Sequence, residues 1–345
     1  MKAAIIGGTG YGAIELIRLI HQHPYLDVGS VVSNSQAGNN FSESYPHLSG
    51  LTDQPLGKFD PETIAENHDI VFLATPSGVS SKLVPQLMET GIKCVDLSGD
   101  FRLRSSEQYE TWYRRRPANH EYIQQAVYGL SEIYPEQIKT AALIANPGCY
   151  PTAATLGLIP ILTTNQADLA SIIIDAKSGV SGAGRGLSLT SHYAEINENL
   201  KAYKLGSHQH IPEIEQVLSD ESGTPITISF TTHLVPMTRG IMCTMYLTLN
   251  ESISTKEVVD LYTNFYKNKS FVRIRPEGNI PATKEVHGSN YCDIGLHVDS
   301  RTNRLTVISV IDNLVKGAAG QAIQNANLMF GWDERSGLNQ LPIYP

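Results

Sequence analysis

The sequence has few cysteines and no long hydrophobic run. Its four cysteines form no CxxC pair and are widely spaced, at Cys94, Cys149, Cys243 and Cys292. This spacing indicates neither a zinc site nor a disulfide framework, so we expect reduced thiols, no metal and a cytoplasmic location. No apolar stretch approaches the roughly 18 residues of a membrane span, and the one at the N-terminus is too short for a signal peptide. We therefore expect no membrane partner.

Positive charge is also scarce. The chain of 345 residues has 26 Lys and Arg against 34 Asp and Glu, a formal net charge of −8. Nucleic-acid binding needs a cationic face, so we expect no nucleic-acid partner. The negative charge does not exclude a small anionic ligand, because helix N-termini and a few local cations are enough to bind one. Hydrophobic residues make up 41% of the chain, which excludes a disordered protein. At roughly 150 residues per domain, the length predicts two domains.

Short apolar runs alternate with helical patterns over the first 150 residues. Strands are predicted at 2–7, 28–33, 70–74, 92–97 and 141–145, with helices at 11–23 and 80–89. Such alternation is typical of parallel strands joined by right-handed crossovers. It predicts an α/β fold whose first domain is a doubly wound, Rossmann-type dinucleotide-binding domain.

Longer strands follow from residue 172. They are predicted at 172–176, 226–234, 241–249 and 304–311. Their alternating pattern predicts a second α/β domain with a mixed, mostly antiparallel sheet that is covered on one face. Residues 312–330 are predicted to form one long helix that packs on the first domain. We therefore assign residues 1–148 and 313–345 to the dinucleotide domain and 149–312 to a second domain, which the family resemblance described below implies is the catalytic and oligomerisation domain.

A glycine-rich turn ends the first strand and opens the first helix. Small residues let the backbone approach a pyrophosphate, and the helix N-terminus favours an anion. The spacing departs from GxGxxG, and glycine turns after strands are common. Nucleotide binding is nevertheless favoured, because this is the first strand–turn–helix of an alternating pattern. The expected cofactor contacts in it are Gly7, Thr9, Gly10, Tyr11 and Gly12.

The second strand leads into Ser33-Asn34-Ser35, with no acid to hold the ribose hydroxyls of NAD. Ser33 and Ser35 can donate hydrogen bonds to a 2′-phosphate, so we predict NADP. Thr75 and Pro76 follow the third strand, at the edge where a doubly wound sheet binds its cofactor. An ordinary Pro-Gly turn explains that segment equally well.

Cys149 differs from the other cysteines because loop formers surround it, in Asn146-Pro147-Gly148-Cys149-Tyr150-Pro151-Thr152. It stands at the predicted start of a helix, whose dipole and N–H groups favour a thiolate. A small core side chain is the alternative. We predict that Cys149 is a nucleophile and that the other three cysteines are structural.

The segment His208-Gln209-His210 precedes a helix that carries Glu213. A Cys/His pair for covalent catalysis, with Glu213 orienting a ring, fits these residues better than a metal site, for which no third ligand is apparent. The sequence leaves open which histidine contacts the sulfur. Arg102 and Arg185 lie on loops after strands, where they bind phosphate or carboxylate or serve as surface charges.

Several stretches carry a resemblance to a known family. They are Gly7-Gly8-Thr9-Gly10-Tyr11 with Glu15-Leu16, then residues 96–103, 146–152, 178–186, 208–214, 233–240 and 311–321. Through them the chain resembles, nearly from end to end, the N-acetyl-gamma-glutamyl-phosphate reductases of arginine biosynthesis, which are related to aspartate-semialdehyde dehydrogenases. It departs from the family at Ala13, where Gly is usual, and at Gln209, where Arg is usual. Gln209 removes a cation and puts in doubt a substrate contact by that side chain.

The resemblance implies an oxidoreductase that uses NADPH. It would reduce N-acetyl-gamma-glutamyl phosphate to N-acetyl-L-glutamate 5-semialdehyde and phosphate, through a thioester on Cys149. It places the general acid/base at His210, with His208 and Glu213 beside it. The further contacts expected are Ser178, Gly179, Asn313 and Lys316 for the cofactor, and Arg102, Asn146, Arg185 and Tyr203 for the substrate.

The resemblance also implies a homo-oligomer, a dimer or a tetramer, formed by the second domain. Two other functions remain open at this point. One is a reductase of another acyl phosphate, of the aspartate-semialdehyde dehydrogenase kind. The other is an NADP-sensing protein without turnover, which would need no reactive cysteine.

Overall fold

The structure, a computed structural model, describes residues 1–51 and 54–344. The chain divides into two compact units, residues 1–148 with 318–339 and residues 149–317 with 340–344. The sequence predicts that all of 313–345 belongs to the first domain, whereas 313–317 and 340–344 group with the second unit. Residues 52, 53 and 345, which also fell in the predicted first domain, lie outside the described residues.

A six-stranded sheet forms the centre of the first unit. Its strands are β1 (Lys2–Ile6), β2 (Asp27–Val32), β3 (Ile70–Leu73), β4 (Lys93–Asp96), β5 (Val127–Tyr128) and β6 (Leu143–Ala145). All neighbours pair in parallel, in the order β2-β1-β3-β4-β6-β5. β3 is buried along its whole length, as expected for a parallel strand covered on both faces. The predicted doubly wound α/β fold is therefore confirmed, with the two-residue β5 as an unpredicted addition.

Seven α-helices lie before residue 149 in the part of the first unit that the structure describes. They are α1 (Tyr11–Ile20), α2 (Phe41–Ser44), α3 (Pro61–Asn67), α4 (Ser80–Glu89), α5 (Ser106–Tyr113), α6 (His120–Gln125) and α7 (Pro135–Thr140). The apolar face of α1 is buried, because Leu16, Leu19 and Ile20 recur at helical spacing. Ala13, on the same helix, has no exposed surface, so its methyl group lies inside this packing.

A seven-stranded sheet forms the centre of the second unit. Its strands are β7 (Ile173–Ser178), β8 (Lys201–Tyr203), β9 (Ser229–Leu234), β10 (Ile241–Thr248), β11 (Val272–Ile274), β12 (Cys292–Asp299) and β13 (Arg304–Ile311). The order is β11-β12-β13-β10-β7-β9-β8, and four of the six neighbouring pairs are antiparallel. The sheet is thus mixed and mostly antiparallel, as predicted. Buried and half-buried residues alternate along β10, so one face is covered and the other is partly open.

Four helices belong to the second unit. They are α8 (Cys149–Leu162), α9 (Tyr193–Ile196), α10 (Ile211–Ser222) and α11 (Thr255–Tyr266). α8 is apolar on all sides and buried after its first residue, because it packs between the sheet and helices α10 and α11. Gly157 lets it approach the sheet, since a Cβ there would overlap the Met245 side chain. Cys149 is therefore the half-buried first residue of an otherwise buried helix.

The predicted long helix 312–330 is shorter in the structure. The Asp312 carboxylate accepts the backbone N–H groups of Leu314 and Val315, a π-helical turn follows at Val315–Ala319, and α12 spans Gly320–Met329. α12 packs against α1 and α7 in the first unit. The apolar spacing of the segment predicted the helix but not the wider turn before it.

Candidate active site

The glycine-rich turn brings β1 into α1. Gly7 has a φ of 93°, and a Cβ there would overlap the Ala74 carbonyl oxygen, so only glycine fits this close approach to the end of β3. At Gly10 and Gly12, by contrast, a Cβ would make only ordinary contacts at 3.6 Å or more. The N-cap residue Gly10 has no side chain to cap α1, and no acid stands in the first turn, so this helix N-terminus fits a pyrophosphate.

The loop after β2 carries the two serines expected to bind the 2′-phosphate. Ser33 is buried and its backbone N–H donates to the Gly57 carbonyl oxygen (3.1 Å), whereas Ser35 is exposed. The two hydroxyl oxygens lie 3.5 Å apart. The loop therefore presents hydroxyl groups without an acid between them, in agreement with an NADP site.

The segment after β3 is held by Asp100, a residue that the sequence analysis did not single out. Its carboxylate accepts the backbone N–H groups of Gly78 (2.7 Å) and Ser81 (2.9 Å) at the start of α4. Thr75, predicted to contact the cofactor, shares a hydrogen bond with the Ser80 hydroxyl (2.7 Å). Because Asp100 occupies the N-terminus of α4, this helix start does not offer its N–H groups to an anion. Pro76, also predicted to contact the cofactor, is exposed in the same segment.

In the second unit, Cys149 opens α8. The half-buried thiol stands where the helix N–H groups stabilise negative charge. Burial raises the pKa of Tyr203, and a negative charge on Cys149 would raise it further. Gly317 lies against the same residue, since a Cβ there would stand 2.8 Å from the Cys149 Cβ.

His210 and Glu213 form a buried pair at the start of α10. His210 immediately precedes the helix, and Pro212 in its first turn favours the helix start. The Nδ1 atom of His210 lies 2.8 Å from Oε2 of Glu213, which is fully buried. Since a carboxylate only accepts, Nδ1 carries the hydrogen and Nε2 remains for proton exchange. This is the arrangement of a general base with its orienting carboxylate.

His208 lies in a cluster of aromatic rings. Its ring centroid is 5.6 Å from those of Tyr150 and Phe230, 5.7 Å from that of Tyr203 and 5.0 Å from that of His210. Burial, together with the neighbouring His210, lowers the pKa of His208 to about 2, so its ring is neutral. Its Nδ1 accepts the backbone N–H of His210 (3.1 Å). His208 thus supports the position of His210, and its neutral ring is a poor proton donor.

Arg102 and Asn146, both predicted to bind substrate, serve the backbone of the first unit. Arg102 is buried and donates from Nε to the Asn146 carbonyl oxygen (2.7 Å) and from Nη2 to the Leu97 carbonyl oxygen (2.8 Å). The Asn146 amide donates to the Ala318 carbonyl oxygen (3.1 Å) and accepts from Asn325 (3.0 Å), and it has no exposed surface. Both ends of the Asn146 amide thus have partners within the first unit, and a substrate contact by Asn146 stays a prediction that this packing disfavours.

Asn313 and Lys316, both predicted to contact the cofactor, are also turned inward. The Asn313 amide donates to the Ser181 hydroxyl (2.9 Å) and accepts the backbone N–H of Gly240 (2.8 Å). Lys316 has no exposed surface, and its ammonium lies 5.7 Å from the centre of the Phe271 ring. Cofactor contacts by Asn313 and Lys316 therefore stay predictions that this packing disfavours.

The segment from the end of β7 onward is packed at its first residues, Ser178 and Gly179, and exposed farther along, at Arg185. The Ser178 hydroxyl donates to the Gly179 carbonyl oxygen (3.0 Å), and the Gly179 backbone N–H donates to the Gly240 carbonyl oxygen (2.9 Å). Arg185 follows in an exposed stretch. Ser178 is buried, so cofactor contacts at Ser178 and Gly179 remain predictions that this packing disfavours.

Tyr203, by contrast, lies with the histidines. Its hydroxyl group is 3.1 Å from that of Tyr150, and its ring is close to His208. The structure therefore brings together four of the predicted residues, His208, His210, Glu213 and Tyr203, and the hydrogen-bond partner of Tyr203, Tyr150, is the residue next to Cys149. Tyr150 and Phe230 belong to the same cluster but gave no signal in the sequence beyond their aromatic character.

Within residues 1–51 and 54–344, no group of three or more His, Cys, Asp and Glu side chains is arranged to hold a metal ion. In the same ranges, no helix combines the length and the apolar character needed to cross a membrane.

Two family models match the chain. The model described as semialdehyde dehydrogenase, NAD binding domain, matches residues 2–141. The model described as semialdehyde dehydrogenase, dimerisation domain, matches residues 149–313. Among solved structures, aspartate semialdehyde dehydrogenase II of Vibrio cholerae has a TM-score of 0.72 at 17% identity, covering 96% of this chain and 98% of that one. An aspartate semialdehyde dehydrogenase with NADP from Candida albicans has a TM-score of 0.72 at 16% identity, covering 95% and 98%.

Much more similar sequences carry a single name, N-acetyl-gamma-glutamyl-phosphate reductase. The protein of that name from Geobacillus sp. is 56% identical over 345 residues, 100% of both chains. Those from Oceanobacillus iheyensis and Bacillus subtilis are 54% and 53% identical, over 100% of this chain and 99% and 100% of theirs. Identity of this extent over the full length shows that the chain belongs to the N-acetyl-gamma-glutamyl-phosphate reductase family.

Proposed function

We propose that this chain reduces N-acetyl-gamma-glutamyl phosphate to N-acetyl-L-glutamate 5-semialdehyde and phosphate with NADPH, as a step of arginine biosynthesis. The observation that carries the proposal is the His210–Glu213 pair in the unit whose helix α8 begins at Cys149. Full-length relatives named as this reductase are 52–56% identical to the chain. The substrate comes from their name, and the chemistry comes from the site.

Cys149 performs the first step. Its thiolate sulfur bonds to the γ-carbonyl carbon, the bond from that carbon to the phosphate oxygen breaks, and phosphate leaves with the electron pair. The product is an acyl thioester on Cys149. The start of α8 supports this step, because its N–H groups favour the thiolate and can donate to the developing oxyanion.

His210 serves the second step. NADPH, when bound, supplies the hydride that reduces the thioester carbon. His210 then exchanges a proton through Nε2 with the oxyanion of the thiohemiacetal, while Glu213 holds its ring by Nδ1. Collapse to the aldehyde returns the thiolate of Cys149. His208 stays neutral and keeps His210 in place.

The first unit is proposed to hold NADP. The start of α1, with Gly10 and Gly12, would take the pyrophosphate, and Ser33 and Ser35 would take the 2′-phosphate. The match of residues 2–141 to an NAD-binding family model supports this assignment.

The second unit is proposed to join copies of the chain into a dimer or tetramer. Its family model is described as a dimerisation domain. The segment between β7 and β8 exposes the large apolar side chains Leu187, Leu189, Tyr193 and Leu200, and Leu205 is exposed just after β8. Exposed apolar surface of this kind favours burial against a second copy. Light scattering of the wild type and of Leu187→Glu tests it, since the substitution should lower the measured mass.

The proposed location is the cytoplasm. All four cysteines are free thiols, which agrees with a reducing compartment.

The experiment measures phosphate-dependent NADP reduction with N-acetyl-L-glutamate 5-semialdehyde. We expect activity in the wild type, its loss in Cys149→Ala, and its retention in Cys94→Ala, a matched change at a buried cysteine of the first unit. Aspartate semialdehyde is the comparison substrate. Activity with that aldehyde alone would overturn the proposed substrate, and turnover by Cys149→Ala would overturn the covalent mechanism.

A further inference from the structure

Lys204 stands in a constrained turn directly after β8. Its φ of 48° is in the left-handed region, which a lysine adopts only when its surroundings hold it there. Its ammonium donates to Oε1 of Gln209 (2.7 Å), the residue between the two histidines. Lys204 is exposed, and this hydrogen bond holds the end of its flexible side chain beside Gln209.

The Lys204 ammonium lies close to the histidine cluster. Its charge contributes to lowering the pKa of His208, after burial and the neighbouring His210. Tyr203, the preceding residue, contacts the His208 ring at 5.7 Å between centroids and shares a hydrogen bond with Tyr150. Lys204 is therefore a cation at the margin of the cluster that carries the proposed chemistry.

The charge of Lys204 has only a neutral partner among the contacts that the structure gives it. Gln209 supplies an amide oxygen, and within residues 1–51 and 54–344 no carboxylate forms an ion pair with the Lys204 ammonium. Partial burial accordingly lowers the pKa of Lys204. A negatively charged ligand group would compensate the Lys204 ammonium for its partial loss of hydration, because a charge-assisted hydrogen bond is stronger than a neutral one.

We propose that Lys204, positioned by Gln209, binds the α-carboxylate of the acyl-phosphate substrate and so determines its specificity. The inference rests on the proposed function. The substrate has two anionic ends, and the phosphate leaves at the Cys149 step while the carboxylate is present throughout. Lys204 is held next to the histidines rather than at the start of α8. It therefore fits the α-carboxylate, which remains on the substrate after the phosphate has left.

The oxidative direction separates the two anions, because phosphate and semialdehyde are then separate substrates. We expect Lys204→Met to raise the KM for N-acetylglutamate semialdehyde by about 10- to 100-fold, the effect of losing one charge-assisted hydrogen bond. The KM for phosphate and kcat should change little. Lys204→Arg should recover much of the loss, and Lys201→Met, a change of the same kind on β8, should have no effect.

A semialdehyde whose α-carboxylate is replaced by a carboxamide provides the second readout. The wild type should discriminate against it, and Lys204→Met should not, with similar KM values for the two aldehydes. A KM increase for phosphate alone would overturn the proposal, as would an equal loss with the carboxamide or an unchanged KM. These outcomes differ from a failure of the proposed function, in which the wild type itself shows no activity with the carboxylate substrate. Circular dichroism checks that the variants are folded.

Discussion

The pair of His210 and Glu213 offers the sharpest test of the active site. Glu213 is fully buried in the first turn of α10, and its Oε2 lies 2.8 Å from Nδ1 of His210. Glu213→Gln keeps the length and shape of the side chain but removes its charge. The His210 ring should stay in place while the imidazolium that forms during proton transfer loses its counter-charge.

The magnitude follows from the change in one hydrogen bond. A bond to a charged group is worth about 1.5–3 kcal/mol and a neutral one about 0.5–1.5, so the variant loses about 1–1.5 kcal/mol. If that difference appears wholly in the transition state, kcat falls by about 5- to 13-fold. The KM for the aldehyde should change little, because Glu213 is buried and contacts His210 rather than the substrate.

The assay is steady-state NADP reduction with N-acetylglutamate semialdehyde and phosphate, with thermal melting to check the fold. The matched control is Glu215→Gln on the same helix, where the carboxylate accepts the backbone N–H of Ile228 (3.1 Å). The control should keep the wild-type kcat. Equal rates for Glu213→Gln and the wild type, with both folded, would refute the orienting role of Glu213.

Three further predictions concern the backbone and the buried charge. Gly317→Ala places a Cβ 2.8 Å from the Cys149 Cβ, so the substitution should lower kcat while the melting temperature changes little. An unchanged kcat would contradict that contact. Gly7→Ala puts a side chain at a φ of 93° against the Ala74 carbonyl, so thermal stability should fall by about 1–2 kcal/mol or more, and an unshifted melting curve would contradict it. Burial raises the pKa of Asp96 from 3.8 to about 6. The folded state then binds this proton more tightly than the unfolded state, so stability relative to Asp96→Asn should fall by up to ~3 kcal/mol as pH rises from about 4 to 6. Urea unfolding of both proteins at several pH values measures this difference. If the free energies of unfolding of the wild type and of Asp96→Asn change with pH in parallel, the raised pKa of Asp96 is contradicted.

The fold was predictable because its signals are local and repeated. Alternating strands and helices predicted the parallel sheet, and longer alternating strands after residue 172 predicted the mixed one. The two-residue β5 was missed, since Val127–Tyr128 is too short to show a period. The π-helical turn at Val315–Ala319 was missed because its apolar spacing resembles that of the helix it precedes.

The catalytic cluster was predictable where sequence spacing fixes geometry. His210 and Glu213 are three residues apart at a helix start, which places them on one face, and the structure pairs them. The aromatic partners of His208 could not be found in this way. Tyr150 and Phe230 come from α8 and β9, and only the tertiary structure brings their rings to within 5.6 Å of the His208 ring.

The cations and amides proved hardest to assign, and the reason is physical. A polar side chain after a strand meets two competing partners, a ligand and the unpaired backbone groups where strands and helices end. Arg102 and Asn146 bind such backbone groups, and Asn313 does the same at Gly240. Sequence patterns do not distinguish the two uses, because both need the same donors at the same positions. The chain is acidic and its buried Arg102 serves the backbone in this way, so the proposal for substrate recognition turns instead to Lys204, whose ammonium donates to the neutral side chain of Gln209.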